Sequence, residues 1–283
     1  MQDSNLSSPL RWAGNKQWLA KRTARLIAKE VEPASQVVEL FAGSLGFSLH
    51  FGFKNVVAND IDTPLINFYR SLQTGFLPST DYKVEKEAYY FYRERYNDLV
   101  EQGQYNSELA SLFFYLNATC FNGLLRKSKS GRFNVPFGKF EQFPVNKIDR
   151  CIAVASHIKS WKFSSVCFSE VAEIEEAGLI LADPPYEGTY TGYNGGFSFE
   201  EQIKLIETLD NTTCPTIITN SMKSKELLCL YRDAGYRLYK TLVRRSISAK
   251  KESRNKQYEV VALKNIRTQR VKSLCPELEL VRI

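Results

Sequence analysis

Short apolar runs alternate with helix-like segments along much of this chain, and that alternation restricts the possible folds most strongly. In "SQVVELFAGSLGFSLHF" an apolar run enters a glycine turn and then a helical stretch, and "NVVANDID" follows as a second short strand. "GLILADPPY" and "PTIITNS" repeat the apolar run further along. Buried parallel strands are nearly continuous in apolar residues, and their crossover connections are usually helices. The sequence therefore predicts an α/β sheet of the nucleotide-binding type.

Local signals predict the neighbouring elements. "NKQWLAKRTARLIAKE" has helical spacing. Thr63 is expected to cap a helix that has Pro64 in its first turn, and Ser198 with Glu201 predicts a capping box. "SSVCFSE" is predicted as a strand, and "YRLYKTLV" and "QYEVVALKN" as an antiparallel pair at the edge of the sheet.

The middle of the chain departs from the strand–helix pattern. It is rich in Tyr, Phe, Arg and Asn, and "EKEAYYFYRERYNDLV" and "SELASLFFYLNATCF" predict helices. "LLRKSKSGRFNVPFG" predicts a β-hairpin, because Ser130-Gly131 is a turn signal and apolar residues alternate after it. We therefore expect a helical subdomain at residues 62–147, inserted into a catalytic domain made of residues 1–61 and 148–283.

The glycine turn after the first strand favours a cofactor site. Glu39, Phe41, Gly43 and Gly46 lie between the strand and a helix N-terminus, where the backbone can approach a ligand closely. Asp60 ends the next strand, where a carboxylate can accept both hydroxyls of a ribose. Together these features favour an adenosine-containing cofactor, whereas the glycines alone would also fit an ordinary tight turn. The turn does not match G-x-G-x-x-G, so a dinucleotide is not expected.

The tetrapeptide Asp183-Pro184-Pro185-Tyr186 is the most specific chemical signal. The prolines fix their own φ angles and restrict the residues before them. The Asp183 carboxylate and the Pro184 carbonyl can each accept a hydrogen bond from one N–H of an exocyclic amine. Tyr186 can stack on the base that carries this amine. That combination suits methyl transfer from a sulfonium to an amine. The alternative is a proline-rich loop in which Asp183 is only a cap.

The charge of the chain permits a nucleic-acid partner. The net charge is +7 and the pI about 9.0. Two basic runs are expected to contact a nucleic-acid backbone rather than to form merely solvated faces. The first contains Arg126, Lys127, Lys129 and Arg132, with Lys139 after it. The second contains Arg244, Arg245, Lys250, Lys251, Arg254 and Lys256.

Other classes of protein are not expected. The six cysteines are scattered, which fits a reducing cytoplasm and predicts no zinc or other metal site. No apolar run approaches membrane-spanning length, so a cytoplasmic protein is expected. His50 and His157, the two histidines, lie near no motif and receive no catalytic role. No feature fixes the oligomeric state, and a monomer is the expectation.

Five segments together resemble the Dam-type family of DNA adenine methyltransferases. Besides the tetrapeptide, these are "LRWAGNK", "FAGSLG", "CFNGLLRKSKSGRFNVPFG" and "LVRRSIS". They span nearly the whole chain, in the order of cofactor motifs, recognition region and catalytic motif. The resemblance implies a Rossmann-like methyltransferase sheet with an inserted recognition subdomain. It also implies that S-adenosyl-L-methionine is the methyl donor and that an adenine flipped out of duplex DNA, with GATC as the target, receives the methyl group.

The resemblance also implies roles for individual residues. The methyl donor would contact Trp12, Lys16, Asp60 and Asp183. The flipped adenine would contact Asp183, Pro184 and Tyr186. Phe121 and Asn122 match positions beside the base pair that the adenine leaves. The target sequence would be read by Arg11, Leu124, Arg126 and Pro136.

The chain departs from the family pattern at three positions. Leu45 stands where relatives often have a second glycine, and Gly46 follows one place later. Phe121 stands where many relatives have a tyrosine, and the loop after Tyr186 is shorter than in bacterial members. Two alternatives stay open: a methyltransferase for RNA or a protein glutamine amide, and a DNA-binding relative with an inactive site. The setting, whether a restriction system, a phage or chromosomal regulation, also stays open.

Overall fold

The computed structural model describes residues 6–128, 130–186, 197–244 and 256–282. Within them, eight strands form one sheet in the order β3-β2-β1-β4-β5-β7-β6-β8. The strands are β1 (Val37–Glu39), β2 (Val56–Asn59), β3 (Lys162–Ser164), β4 (Leu179–Ala182), β5 (Thr216–Ser221), β6 (Arg237–Arg244), β7 (Lys256–Lys264) and β8 (Glu279–Leu280). The first five are parallel, and β7 enters antiparallel between β5 and β6. The predicted Rossmann-like α/β class is confirmed.

The strand order reverses between β1 and β4. From β1 the chain continues outward on one side through β2 and β3, whereas β4 and β5 lie on the other side. In open α/β sheets, ligands bind outside the carboxyl ends of the strands where the order reverses. The glycine turn follows β1 and the tetrapeptide follows β4, so this topology brings the two motifs together at one edge.

Helices cover both faces of the sheet. They are α1 (Gln17–Glu30), α2 (Gly46–Phe51), α3 (Thr63–Gln73), α4 (Lys86–Glu101), α5 (Ser107–Thr119), α6 (Asn146–His157), α7 (Phe199–Asp210), α8 (Lys225–Asp233) and α9 (Thr268–Leu274). One buried apolar cluster joins one sheet face to α1, α2, α3, α5 and α6, and a second joins the other face to α7 and α8. None of the helices in the described ranges is long and apolar enough to cross a membrane.

Most predicted elements form, and three expectations need correction. The capping box of α7 is present, since the Ser198 side chain accepts from Glu201 N–H and the Glu201 side chain accepts from Ser198 N–H. Asp62, not Thr63, is the N-cap of α3. "SSVCFSE" is not a strand: β3 ends at its first serine, and the segment continues into a short 3-10 turn. The antiparallel pair is not purely an edge, because β7 is bonded on both sides and β8 lies outside β6.

The chain between β2 and β3 builds a helical layer around α5. Every residue of α5 from Leu109 to Thr119 is buried, which explains why its sequence is apolar all round. The predicted hairpin follows α5 and is held by a β-bridge between Lys127 and Phe133. Asn97 of α4 exchanges two hydrogen bonds with the Phe133 backbone, at 2.8 and 3.1 Å. This pairing fixes the hairpin against α4.

Candidate active site

A cavity of about 800 Å³ opens at the edge of the sheet where the strand order reverses. Its volume lies in the range of small-molecule and cofactor sites. It is lined by every residue that the sequence assigned to a cofactor, namely Trp12, Lys16, Glu39, Phe41, Gly43, Asp60 and Asp183. Pro184 and Tyr186 of the tetrapeptide line the same cavity. The structure thus brings the glycine turn and the tetrapeptide, far apart in sequence, to one site.

The glycines of the turn are needed for close packing by this chain itself. Gly43 has a φ of +47°, and a Cβ there would lie 2.8 Å from Nε1 of Trp12. A Cβ on Gly46 would lie 2.1 Å from Oδ1 of Asn15. Leu45 between them is left-handed, with φ 57°, although it is a fully buried leucine. The segment with Trp12 and Asn15 therefore forms a wall of the cavity against the turn.

Asp60 organises the turn from below. Its Oδ2 accepts a hydrogen bond from Gly43 N–H at 2.9 Å, and its Oδ1 accepts one from Asp62 N–H at 3.0 Å. Burial raises the pKa of this carboxyl to about 6. A carboxylate has about four acceptor positions, so Asp60 keeps capacity for a ligand hydroxyl beyond these two bonds.

Glu39 ends β1 beneath the same cavity. Its Oε1 accepts a hydrogen bond from Ser48 N–H at 2.9 Å, at the start of α2. The pKa of Glu39 is raised to about 7, chiefly by burial and to a smaller extent by the nearby Asp183 carboxylate. A cationic ligand in the cavity would stabilise the ionised form of this buried carboxylate.

Asp183 is held from two sides. Thr219 of β5 donates its hydroxyl to Oδ1 at 2.7 Å, and Lys16 Nζ lies 2.7 Å from Oδ2. The Lys16 ammonium also donates to Gly14 O at 2.8 Å. Burial raises the pKa of Asp183, and Lys16 acts in the opposite direction. The Asp183 side chain remains 19% exposed, so it still faces the cavity.

Tyr186 is held through its hydroxyl by a residue that sequence reasoning missed. The Tyr186 hydroxyl donates to Oε2 of Glu259 at 2.7 Å. Glu259 is buried on β7 and lines the cavity. Its sequence signal was a charged residue opening the apolar run "EVVAL"; Thr219, likewise missed, lies at the polar end of "PTIITNS".

An aromatic wall of the cavity was also missed. Phe41 lies 5.5 Å from Phe168 and 5.6 Å from Phe197, measured between ring centroids. Phe168 and Phe197 are 5.7 Å apart, so the three rings form one cluster. Only Phe41 stood next to a motif. The other two reach the cavity from distant segments, and nothing local marks them.

Some of the expected DNA-contacting residues lie at the mouth of the same cavity. Arg11, Leu124 and Arg126 line it together with the tetrapeptide. Asn117 of α5 makes two hydrogen bonds to the backbone of Arg11. Its Oδ1 accepts from Arg11 N–H at 2.9 Å, and its Nδ2 donates to Arg11 O at 2.8 Å. The segment entering the cofactor wall is thereby attached to the helix that leads into the hairpin.

The remaining expected DNA-contacting residues are more dispersed. Phe121 is exposed, and its N–H donates to Pro136 O at 2.9 Å. Asn122 has a left-handed φ of 56°. Lys139 is exposed and has a φ of 57°. Arg245 and the side chain of Arg244 lie outside the described residues.

Two cations of the first basic run pair with carboxylates of this chain. Arg132 Nη2 lies 2.8 Å from Glu94, and the same guanidinium contacts Asp98 and Glu101 of α4. Lys127 Nζ lies 3.4 Å from Asp62. Arg126 is exposed and bonds Asn134 Oδ1 at 2.9 Å. The sequence shows the carboxylates of α4, but it does not show that the packing of the hairpin brings Arg132 into contact with them.

The geometry can hold a cationic ligand beside an amine. In the described ranges, no group of His, Cys, Asp and Glu residues could hold a metal ion. Neither histidine is among the residues that line the cavity. The cavity instead offers buried carboxylates, an aromatic wall and a stiffened Asp-Pro-Pro-Tyr corner.

Residues 12–249 match the family model described as D12 class N6 adenine-specific DNA methyltransferase. The chain is similar to the DNA N-6-adenine-methyltransferase of Escherichia phage P1, with 30% identity over 90% of this chain and 35% of that protein. The chain thus spans about a third of the phage protein. It is 29% identical to the retron Ec67 DNA adenine methylase of Escherichia coli, covering 93% of each chain. It is 30% identical to the DNA adenine methylase of Vibrio cholerae, over 90% of this chain and 94% of that protein.

Proposed function

Because the chain belongs to the D12 class of N6 adenine-specific DNA methyltransferases, we propose that it moves a methyl group from S-adenosylmethionine to N6 of an adenine flipped out of duplex DNA. The proposed target is GATC. The observation that carries the proposal is the fixed Asp183 carboxylate, which faces the cavity beside Tyr186 and is held by Lys16 and Thr219.

The residues around the cavity fit S-adenosylmethionine in their chemistry. When bound, this donor supplies a methyl group on a positively charged sulfur. The buried Glu39 carboxylate and the partly exposed Asp183 carboxylate would favour a cation in the cavity, and Asp60 would accept hydrogen bonds from the ribose hydroxyls. Trp12, Lys16, Phe41 and Gly43 complete the proposed donor site.

The tetrapeptide would hold the amine. The Asp183 carboxylate and the Pro184 carbonyl oxygen would each accept a hydrogen bond from one N6–H, and Tyr186 would stack on the adenine ring. Hydrogen bonds that are already in place do not need to reorganise during the reaction, so positioning supplies much of the rate. The amine loses one proton after the transfer, and this proton would leave to solvent, so no histidine base is needed.

The helical layer and hairpin would bind the duplex. We propose residues 62–147 as the recognition subdomain, and residues 1–61 with 148–283 as the catalytic domain. Arg11, Leu124, Arg126 and Pro136 would read bases, and Phe121 and Asn122 would fill the gap left by the adenine. Flipping costs a few kcal/mol of stacking and pairing, which stacking on Tyr186 and Phe121 would offset. Lys139, Arg244 and Arg245 would contact phosphates.

Incubation with radiolabelled S-adenosylmethionine tests the proposal. Label is expected in N6-methyladenine of a duplex containing GATC, and not in the same duplex with GTAC. Asp183→Ala is expected to abolish labelling while duplex affinity stays within about threefold of wild type. Label on RNA or on a protein glutamine alone would overturn the substrate, and full activity of Asp183→Ala would overturn the site. Binding without labelling by the wild-type chain would indicate an inactive relative.

A further inference from the structure

We propose that Glu259 of β7 is a positioning residue for methyl transfer, which fixes the ring of Tyr186 against the target base. This inference rests on the proposed role of Tyr186. It adds a residue from outside every motif that the sequence singled out.

The sheet places Glu259 beside the tetrapeptide. Because β7 is antiparallel, the early part of β7 lies at the same edge as the carboxyl ends of β4 and β5. Ala182 pairs with Ile218, which sets Asp183 opposite Thr219, and Ser221 two residues on pairs with Glu259. Glu259 and Val261 share one face of the sheet, because side chains alternate along a strand.

The position of Glu259 is costly without a purpose. Glu259 is 3% exposed and opens the buried stretch of β7, ahead of four apolar residues. A buried carboxylate loses its hydration and requires strong hydrogen bonds in return. The Tyr186 hydroxyl, at 2.7 Å, provides one such bond, and hydrogen bonds to an ionised acceptor are stronger than neutral ones.

The tetrapeptide itself does not orient the tyrosine ring. Pro184 and Pro185 restrict backbone angles, whereas the side-chain torsions of Tyr186 are left to its surroundings. Two contacts contribute to that restraint. Glu259 holds the hydroxyl end, and Lys16 Nζ lies 5.2 Å from the ring centroid.

Lys16 completes the link between the ring and the catalytic carboxylate. The same ammonium lies 2.7 Å from Asp183 Oδ2. Glu259, Tyr186, Lys16 and Asp183 thus form one chain of contacts, in which the stacking ring and the amine acceptor keep a fixed relation. Loosening Tyr186 at its hydroxyl would disturb the stacked base while every residue proposed to bind the donor or the DNA is still present.

The test is a double-mutant cycle between Glu259 and Tyr186, read by single-turnover methylation at saturating donor and DNA. Glu259→Gln keeps the shape but weakens the acceptor, and we expect a rate about three- to tenfold lower. Glu259→Ala should lower the rate by about 10- to 100-fold, with both dissociation constants within about threefold of wild type. Glu259→Gln should have no further effect in a Tyr186→Phe background, because the hydroxyl is already absent.

Controls separate positioning from folding. Thr241→Val removes a buried polar group from β6 that pairs with Glu259 in the ladder, and should leave the rate unchanged. 2-Aminopurine at the target position should fluoresce less in Glu259→Ala, because a loose ring holds the flipped base poorly. If Glu259→Ala does not fold, the cycle with Glu259→Gln still decides.

The inference would be overturned if Glu259→Gln lowered the methylation rate by the same factor in the wild-type and Tyr186→Phe backgrounds. An unchanged rate in the single variants would also overturn it. Loss of activity in Asp183→Ala with full activity in Glu259→Ala would overturn this inference and leave the proposed function standing. Failure of the wild-type chain to methylate DNA would overturn the proposed function itself.

Discussion

The cavity and the hairpin after α5 differ in how their charged side chains are held. In the cavity, Asp60 and Asp183 are tied by hydrogen bonds to the backbone or to neighbouring strands and are largely withdrawn from water. On the hairpin, Arg132 pairs with carboxylates of α4 at the surface. The cavity is fixed before any ligand arrives, whereas the hairpin holds charges that water and salt can reach.

This difference predicts different sensitivities. Charges in a dry site interact strongly and are little affected by salt. Surface ion pairs contribute little to stability, and DNA contacts made by surface cations weaken steeply as salt rises. Changes in the cavity should therefore alter donor binding strongly at any salt concentration, whereas changes on the hairpin should alter DNA binding in a salt-dependent way.

The largest expected effect comes from a substitution that adds a single methyl group to the wall of the cavity. Gly43→Ala places a Cβ 2.8 Å from Trp12 Nε1 at a φ of +47°, so the Trp12 ring must move. We expect donor affinity to fall about 100-fold by calorimetry, equivalent to about 2.7 kcal/mol. The matched control on the hairpin is Gly131→Ala, with φ +82° and no heavy atom within 4 Å of the new Cβ. It should leave donor affinity within about twofold and cost only the strain of a left-handed alanine, about 1 kcal/mol. Equal losses in the two variants would contradict the distinction.

Acidification is the next largest test of the cavity. Glu39 and Asp60 have pKa values raised to about 7 and about 6, so both take up protons as the pH falls from about 8 to about 5.5. A cationic donor requires the charged forms, and its affinity should fall about 30-fold over that range. Glu39→Gln should bind more weakly at pH 8 and lose most of the pH dependence.

The same two groups have the opposite effect on folding without donor. A raised pKa in the folded state adds stability that is complete below the unfolded value, near pH 4, and is lost as the pH rises through about 6 to 7. On acidification, these groups should therefore raise the melting temperature of the free protein. The further rise in melting temperature that donor binding causes should become smaller. A donor-induced rise that does not change with pH would contradict the role of the carboxylates.

Arg126 tests the exposed part of the hairpin. It lines the cavity, and its Nε donates a hydrogen bond to Asn134 Oδ1 at 2.9 Å. If Arg126 makes the proposed bidentate contact to guanine, Arg126→Gln should lower affinity for the proposed GATC target about tenfold and reduce discrimination against a changed base. Competition binding against single-base variants measures both effects. An equal loss on all sequences would indicate a phosphate contact instead.

The smallest expected effect comes from Arg132. Its guanidinium contacts Glu94, Asp98 and Glu101, and hydrogen bonds to Glu94 and Glu101 raise the pKa of Arg132. Arg132→Gln should change DNA affinity less than about threefold and leave the slope of affinity against salt unchanged, since the charge is already neutralised. A slope reduced by about one would place Arg132 on a phosphate and remove the contrast between the two arginines.

Much of the fold followed from local patterns. The apolar runs became β1, β2, β4 and β5, and the helical spacings became α1, α4 and α5. The capping box formed as expected, because its signals lie within four residues of one another. "SSVCFSE" was wrong because an isolated short apolar run does not reveal whether a partner strand is in reach. The added strand β8 and helix α9 are short and carry weak local signals.

The sequence by itself determined the alternation of elements, the glycine turn and the stiffened corner at residues 183–186, since each depends on the conformations of a few consecutive residues. Only the tertiary structure decided which distant side chains complete the site. Thr219 lies 36 residues from Asp183, and Glu259 lies 73 from Tyr186, yet each pair is joined at 2.7 Å. It also decided that Arg132 is neutralised by α4 while Arg126 remains at the mouth of the cavity. Strand order and helix packing set these contacts. Both depend on how apolar residues from the whole chain are buried together, and a short stretch of sequence does not carry that information.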